Sequence, residues 1–533
     1  MRRPLAPALI APALFLATLW VFAPVRHHGF LDYDDAPYVT ARPEVRAGLS
    51  AHGAAWAFEN VEAGNWHPLT WLSHMLDVEV FGLDAGAHHL VNVGLHGLSA
   101  ALLFSLLVAA TGSPGRAAFA AAVFALHPLR VESVAWIAER KDVLSGLFFF
   151  AALGAYGWHV CAPSRARGAA LLALAGLGLL SKAMLMTLPA VLLLVDVWPL
   201  GRLRSRAELP ARLREKLPVA LLCAGLAAVA LYAQARGGSL TGLEVLPVGA
   251  RLANAVVAPV LYLRDLLWPS GLAVLYPHPR SLPLWQPLGA AALLVAITWA
   301  CMRSVRTRPV FLVGWLWFLV MLLPVIGLVQ VGAQARADRY TYLPLVGPVV
   351  AATWGIADAC GGRRRLARCL PAAAAAVLLA LALATRAALV PWRDDEALFA
   401  RAAAVTRDNA IAYTNWAHAL DRDPPQQRSL LERALAIEPR LASAHFEMGR
   451  VLARDGDRAG AERHYGLALR SNPHHADAHN NLGNLLFEEG RYDEAIEHYR
   501  LALAREPGRA STTHNLVVAL RARAEALARE QAR

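Results

Sequence analysis

Residues 370–400 read LPAAAAAVLLALALATRAALVPWRDDEALFA. The run 370–390 is apolar apart from Thr385 and Arg386. A helix rising 1.5 Å per residue needs about 20 residues to cross hydrocarbon, so this run is long enough to span a membrane. From 391 the chain turns to alanine and dense charge, the pattern of helices that meet water. Working toward the N-terminus, similar apolar blocks recur. Their cores lie at 5–24, 88–111, 116–127 with an extension, 143–161, 168–181, 184–200, 217–235, 286–302, 310–329, 343–360 and 370–390, which makes eleven expected crossings. Composition agrees: of 533 residues 56% are hydrophobic and 17% charged, against a usual charged share of about 25%. That excludes an ordinary water-soluble globule. The five cysteines, at 161, 223, 301, 360 and 369, lie in or beside apolar stretches, so no disulfide framework is expected.

Basic side chains next to spans are retained in the cytoplasm and set orientation. Arg2 and Arg3 place the N-terminus inside. Counting alternately, the clusters Arg165–Arg167, Arg202–Lys216, Arg303–Arg308 and Arg363–Arg368 then all fall on the inner side. This holds if 251–268, which carries Arg251, Arg264 and Asp265, lies in the outer interface; if it crosses, the 303–308 cluster lands outside. The alternative for the first block is a cleavable signal peptide, although no A-x-A site follows it. An odd number of spans puts the C-terminus outside. Only three lysines (Lys141, Lys182, Lys216) among many arginines and alanines suggest a GC-rich bacterial genome, hence an inner membrane with the outside as periplasm.

Beyond the boundary an internal repeat appears. Met448, Gly449, Leu452, Gly456, Ala461, Tyr465, Ala468, Leu469 and Pro473 return 34 residues later as Leu482, Gly483, Leu486, Gly490, Ala495, Tyr499, Ala502, Leu503 and Pro507. A 34-residue helix-turn-helix period with small residues at the helix contacts is the tetratricopeptide signature. The expected organisation is a membrane domain over 1–390, a linker helix over 391–410 and a repeat domain over 411–533 with 511–533 as capping helix. The repeats offer a surface for peptides or a partner protein, or else serve as a spacer or docking module for the membrane half.

Candidate chemistry sits between the spans. Segment 25–87 is acidic, and Asp34 and Asp35 follow the first span closely. A partly desolvated carboxylate there can take a proton from an acceptor hydroxyl; the competing reading is a turn or helix cap. Segment 127–142 gathers His127, Arg130, Glu132, Trp136, Glu139, Arg140, Lys141 and Asp142, and later segments add Lys182, Arg336, Asp338, Arg339, Tyr340 and Tyr342. Ionisable groups at membrane depth are costly unless paired or functional. Cations gathered there can hold a phosphate, or can simply pair with the neighbouring acids. His67, His74, His88, His89 and His96 lack the spacing of a zinc motif, so no metal is expected, a divalent-metal requirement staying open. No phosphate-binding glycine loop, nucleophile elbow or basic, aromatic-threaded region is present, which disfavours nucleic acid.

Leu31-Asp32-Tyr33-Asp34-Asp35, Asn65-Trp66-His67-Pro68-Leu69-Thr70, His127-Pro128 through Glu132-Ser133-Val134-Ala135-Trp136 to Glu139-Arg140-Lys141-Asp142, Ser181-Lys182 and Asp338-Arg339-Tyr340-Thr341-Tyr342-Leu343-Pro344 together resemble the transmembrane and tetratricopeptide-repeat O-mannosyltransferases of the GT-C superfamily. Ala183 departs from the proline expected after Ser-Lys. The resemblance implies an all-α fold, a GT-C-like polytopic helical bundle of about eleven spans followed by a tetratricopeptide α-solenoid. It implies inverting transfer of a sugar, typically mannose, from a polyprenyl-phosphate donor to a protein hydroxyl on the outer side. Asp34 and Asp35 would then supply the base. Arg140, Lys141, Lys182 and Arg339 are the candidates for holding the donor phosphate, with His67, His127, Glu132, Asp142 and Tyr340 as supporting residues. No cofactor is expected beyond the lipid-linked co-substrate; the expected partners are that donor, an acceptor protein presented through the repeats, and membrane lipid. Alternatives are a lipid or surface-glycan acceptor, a carrier of the lipid-linked sugar, and a non-enzymatic scaffold, although one helix would suffice for an anchor.

Overall fold

A computed structural model describes residues 5–61, 64–236, 242–243, 246–279, 281–420 and 423–532; Arg2 and Arg3, used above for orientation, lie outside them. The chain forms two compact units, Met1–Ala397 and Leu398–Arg533. Their division falls inside the segment 391–410, where the helix Asp395–Val405 runs.

Every apolar block of the first unit carries helix, the 310–329 block only as far as Leu322. Among the described residues six helices are long and apolar enough to cross a membrane: Ala8–His27, Ala85–Thr111, Ile137–Cys161, Arg206–Arg236, Trp285–Ser304 and Arg364–Arg393. A seventh arises if Pro114–Leu126 and Pro128–Ala135, bent by 56°, count as one. The remaining blocks form shorter helices, Arg165–Ser181, Leu188–Val197, Pro309–Leu322 and Val346–Gly361, of 17, 10, 14 and 16 residues. This is a multi-pass membrane chain.

Its packing is that of a bundle in lipid. Trp285, Leu288, Val295 and Trp299 on Trp285–Ser304 are exposed, as lipid-facing side chains are. Val248–Leu267 shows the complementary pattern. It buries a polar stripe at helical spacing, Arg251, Asn254, Tyr262 and Asp265, while Leu252 and Leu267 face outward. Asn254 donates to the Ala335 carbonyl at 2.8 Å, and Asp265 accepts from Arg336 at 2.7 Å. Helices Pro309–Leu322 and Val346–Gly361 meet backbone to backbone, since a Cβ on Gly347 would stand 2.3 Å from the Gly314 carbonyl oxygen. Such small-residue contacts let membrane helices approach closely.

The second unit repeats one helical hairpin. Ala442–Arg454 with Arg458–Ser471 is followed by Ala476–Glu488 with Tyr492–Arg505. The matched residues make matched contacts: a Cβ on Gly449 would meet the Tyr465 ring at 2.6 Å, and one on Gly483 would meet Tyr499 at 2.7 Å. Gly456 and Gly490 turn each hairpin at φ 84° and 78°, a conformation that favours glycine. Ala510–Gln531 closes the array, with Thr512 donating to Asn480 at 2.9 Å.

Candidate functional site

The site is built by the segment 127–142. Pro128 forces its predecessor out of helical backbone, and His127 is extended at ψ 136°. The chain then folds through short turns, Pro128–Arg130, Val131–Ala135 and Ile137–Glu139, before the long helix Arg140–Cys161. Every residue from 127 to 142 is buried. Backbone turns of this kind, enclosed by neighbouring helices, are how non-helical chain is tolerated at membrane depth.

Glu139 is the hub. Its carboxylate lies 3.1 Å from Lys141, 3.3 Å from Lys182 and 3.3 Å from Arg339. Lys182 also reaches Asp142 at 2.6 Å, and the Ser133 hydroxyl donates to the other Asp142 oxygen at 3.0 Å. Lys182 owes its place to the end of the helix Arg165–Ser181, which is tied down by Thr70 donating to the Ser181 carbonyl at 3.0 Å. Arg339 is clamped by Glu132, which accepts from the Arg339 backbone N–H at 2.7 Å and from its guanidinium. The guanidinium also lies over Trp136 and over Tyr340, 5.4 and 5.1 Å from the ring centres. Lys141 sits 4.8 Å above the Tyr38 ring. Asp142, Lys182, Arg339, Tyr340 and Ser145 line a small cleft. Three cations thus face three carboxylates in a setting where an unpaired charge is expensive.

The two aspartates separate. Asp35 is fully buried and accepts backbone N–H bonds from Leu31 at 2.9 Å and Ala138 at 2.7 Å. Burial pushes its carboxyl up to about 7 despite those two donors. It pins the first segment to the 127–142 fold. Asp34 is half-buried. Burial raises its carboxyl above the ordinary range, opposed by the nearby Lys141 and Arg339 and reinforced by Glu139. Asp34 therefore borders the charge cluster, and among the described residues its carboxylate is held by no hydrogen bond.

The other expected residues divide in the same way. Arg140 points away from the hub: it donates to Ser73 at 2.8 Å, to Asp77 at 2.6 Å, to the His88 carbonyl at 3.0 Å and to Asn92. It holds helices together and is not in the cleft. His127 reaches the Leu266 carbonyl at 3.0 Å and accepts from Leu129 N–H, which makes it a turn residue. His67 precedes the helix Pro68–Phe81; burial, and then Lys141 and Lys182, hold its imidazole down at about 3, so it stays neutral. Tyr340 accepts from Gln334 at 2.7 Å while flanking Arg339. Sequence reading placed Glu139 only among the pairing acids, and it missed the ring platform of Tyr33 stacked on Trp136 at 5.2 Å. Its signal was present: Glu132, Glu139 and Asp142 are the acids of one short buried segment.

Comparison with known proteins agrees with the motifs. Residues 446–510 match a tetratricopeptide-repeat family model. The chain is similar to protein O-mannosyl-transferase tmtc2 of Xenopus laevis, 41% identical over 95 residues, 18% of this chain and 11% of that protein. It is similar over a longer stretch to protein O-mannosyl-transferase Tmtc3 of Drosophila melanogaster, 24% identical over 479 residues, 75% of this chain and 51% of the relative. The chain thus matches from about a tenth to about half of the length of these relatives. Among solved structures, ArnT from Cupriavidus metallidurans bound to undecaprenyl phosphate superposes with a TM-score of 0.35 at 15% identity, over 87% of this chain and 80% of that one. The resemblance to the transmembrane and tetratricopeptide-repeat O-mannosyltransferases therefore extends beyond the quoted motifs to several relatives of that name.

Proposed function

We propose that the chain is an integral membrane glycosyltransferase that moves mannose from a polyprenyl-phosphate donor to a protein hydroxyl, with inversion, on the side facing away from the cytoplasm. The observation that carries this reading is a half-buried carboxylate of raised affinity for protons, Asp34, beside three cations collected on one buried glutamate. Asp34 takes the acceptor hydroxyl proton as its oxygen attacks the sugar C1. The bond from C1 to the phosphate oxygen breaks, and the lipid phosphate leaves as an anion. Lys141, Lys182 and Arg339 compensate that charge, so no general acid is required. The donor's phosphate competes with Glu139 and Asp142 for these cations, which are placed before substrate arrives. The relatives' name supports mannose and a protein acceptor, and the basic clusters on alternate loops support the outward site. The repeats are suited to presenting an extended acceptor and raising its effective concentration.

The test is reconstitution of the full chain in liposomes with a panel of radiolabelled polyprenyl-phosphate sugars and a hydroxyl-bearing peptide. Label from the mannose donor is expected on the peptide; label from none of the donors would overturn the proposal. The pH profile gives a second check. A base works only when deprotonated, and burial raises Asp34 above its usual 3.8. The acid limb of kcat is therefore expected above the ordinary aspartate value, with activity lost as pH falls through it. A limb at the ordinary aspartate value would contradict the desolvated base.

A further inference from the structure

His74 and Asp77 lie one turn apart on the helix Pro68–Phe81, and His88 enters from the first turns of Ala85–Thr111. One ligand atom of each, an imidazole nitrogen or a carboxylate oxygen, lies within 4.8 Å of the other two. All three side chains are buried, with His74 and His88 at 0% exposure. Neither nitrogen of His74 has a hydrogen-bond partner among the described residues, and neither does Nδ1 of His88. Nε2 of His88 lies 3.0 Å from the Gly82 carbonyl, so it carries the proton and leaves the Nδ1 lone pair turned toward Asp77, 3.6 Å away.

A buried imidazole without partners costs folding energy. Two imidazole nitrogens and a carboxylate are also the donor set of a divalent zinc ion, and an Nε2–H bound to a carbonyl is the usual outer support of a ligating histidine. We infer that His74, Asp77 and His88 form a binding site for a divalent transition metal, zinc by its donor preference, which ties the two helices together. Ligand atoms around tetrahedral zinc stand about 3.4 Å apart, so the observed spacing closes by small side-chain rotations. Arg140 donates to the same Asp77 oxygen that faces His88, at 2.6 Å. It retains its bonds to Ser73 and the His88 carbonyl when Asp77 turns to the metal. Its positive charge weakens the site, so filling is expected at micromolar rather than trace zinc. The metal's ligands are residues outside the Glu139 hub, and the site does not depend on the proposed sugar transfer.

The test uses the purified full chain in detergent, stripped with chelator, dialysed to equilibrium against micromolar zinc chloride and assayed by mass spectrometry for zinc in excess of the dialysate. About one zinc per chain is expected, with visible d–d absorption when Co2+ replaces it. Both signals should be lost in His74→Gln and in His88→Gln. The repeats hold two further imidazole pairs, His445 with His464 at 3.1 Å and His479 with His498 at 2.8 Å. The double variant His445→Asn, His479→Asn is expected to keep the zinc. Wild-type protein that retains no stoichiometric zinc overturns the site without recourse to any variant. So does zinc that is lost with the repeat variant and kept with the His74 and His88 variants.

Discussion

Asp34→Asn is expected to cut sugar transfer by about 10²–10⁴-fold, the usual contribution of a positioned general base, while leaving the folded chain as stable as before. The side chain borders the charge cluster, is half-buried and supports no backbone group, so the amide removes only proton-accepting power. Asp35→Asn is expected to do the reverse. Its two oxygens accept from Leu31 N–H and Ala138 N–H. An amide offers one oxygen and turns an N–H₂ toward the second donor, at a cost of about 1–3 kcal/mol. Thermal unfolding and transfer rates measured side by side on both variants decide the assignment. A stable, inactive Asp35→Asn beside an active Asp34→Asn would exchange their roles.

Arg339→Ala carries the second large effect, on two readouts. The guanidinium compensates the departing phosphate, so kcat/KM is expected to fall about 10²–10³-fold, the scale of losing one charge-stabilising donor. It also clamps Glu132 and lies 3.3 Å from Glu139. Its removal leaves buried carboxylates short of a partner, and a broken buried pair costs about 3–5 kcal/mol. Arg339→Lys restores a charge without the fork that serves Glu132 and Glu139 together; it is expected to recover stability in part and transfer poorly. Unchanged kcat/KM in properly folded Arg339→Ala would remove the phosphate role.

Much of this arrangement was legible in the sequence. Solvent preference is written in composition, so each apolar block from 5–24 to 370–390 carries helix, although 323–329 is turn and bend. The 34-residue repeat carried its own contacts, with Gly449 against Tyr465 and Gly483 against Tyr499. Segment 127–142 and Lys182 and Arg339 stood out as charge at membrane depth, and the structure gathers them. The direction of neighbouring side chains was not legible. Consecutive residues in a helical turn point about 100° apart. Arg140 and Lys141 begin one helix, and only Lys141 turns to Glu139 while Arg140 turns to Asp77. Asp34 and Asp35 share a helical turn, with Asp35 N–H bonded to the Leu31 carbonyl and Tyr38 N–H to that of Asp34. One carboxylate therefore borders the charge cluster and the other is bound to the backbone. Which does which depends on Ala138, 103 residues away in sequence, and no local pattern encodes that distance.

The central claim is direct displacement by a single carboxylate-activated hydroxyl, with cations receiving the phosphate. The anomeric configuration of the product tests it most directly. In a reconstituted reaction from a β-linked polyprenyl-phosphate mannose, nuclear magnetic resonance of the glycosylated peptide should show an α-linkage, because one displacement inverts the reacting carbon. A β-linked product would require a covalent sugar-enzyme intermediate or a second displacement, and would contradict Asp34 acting as base.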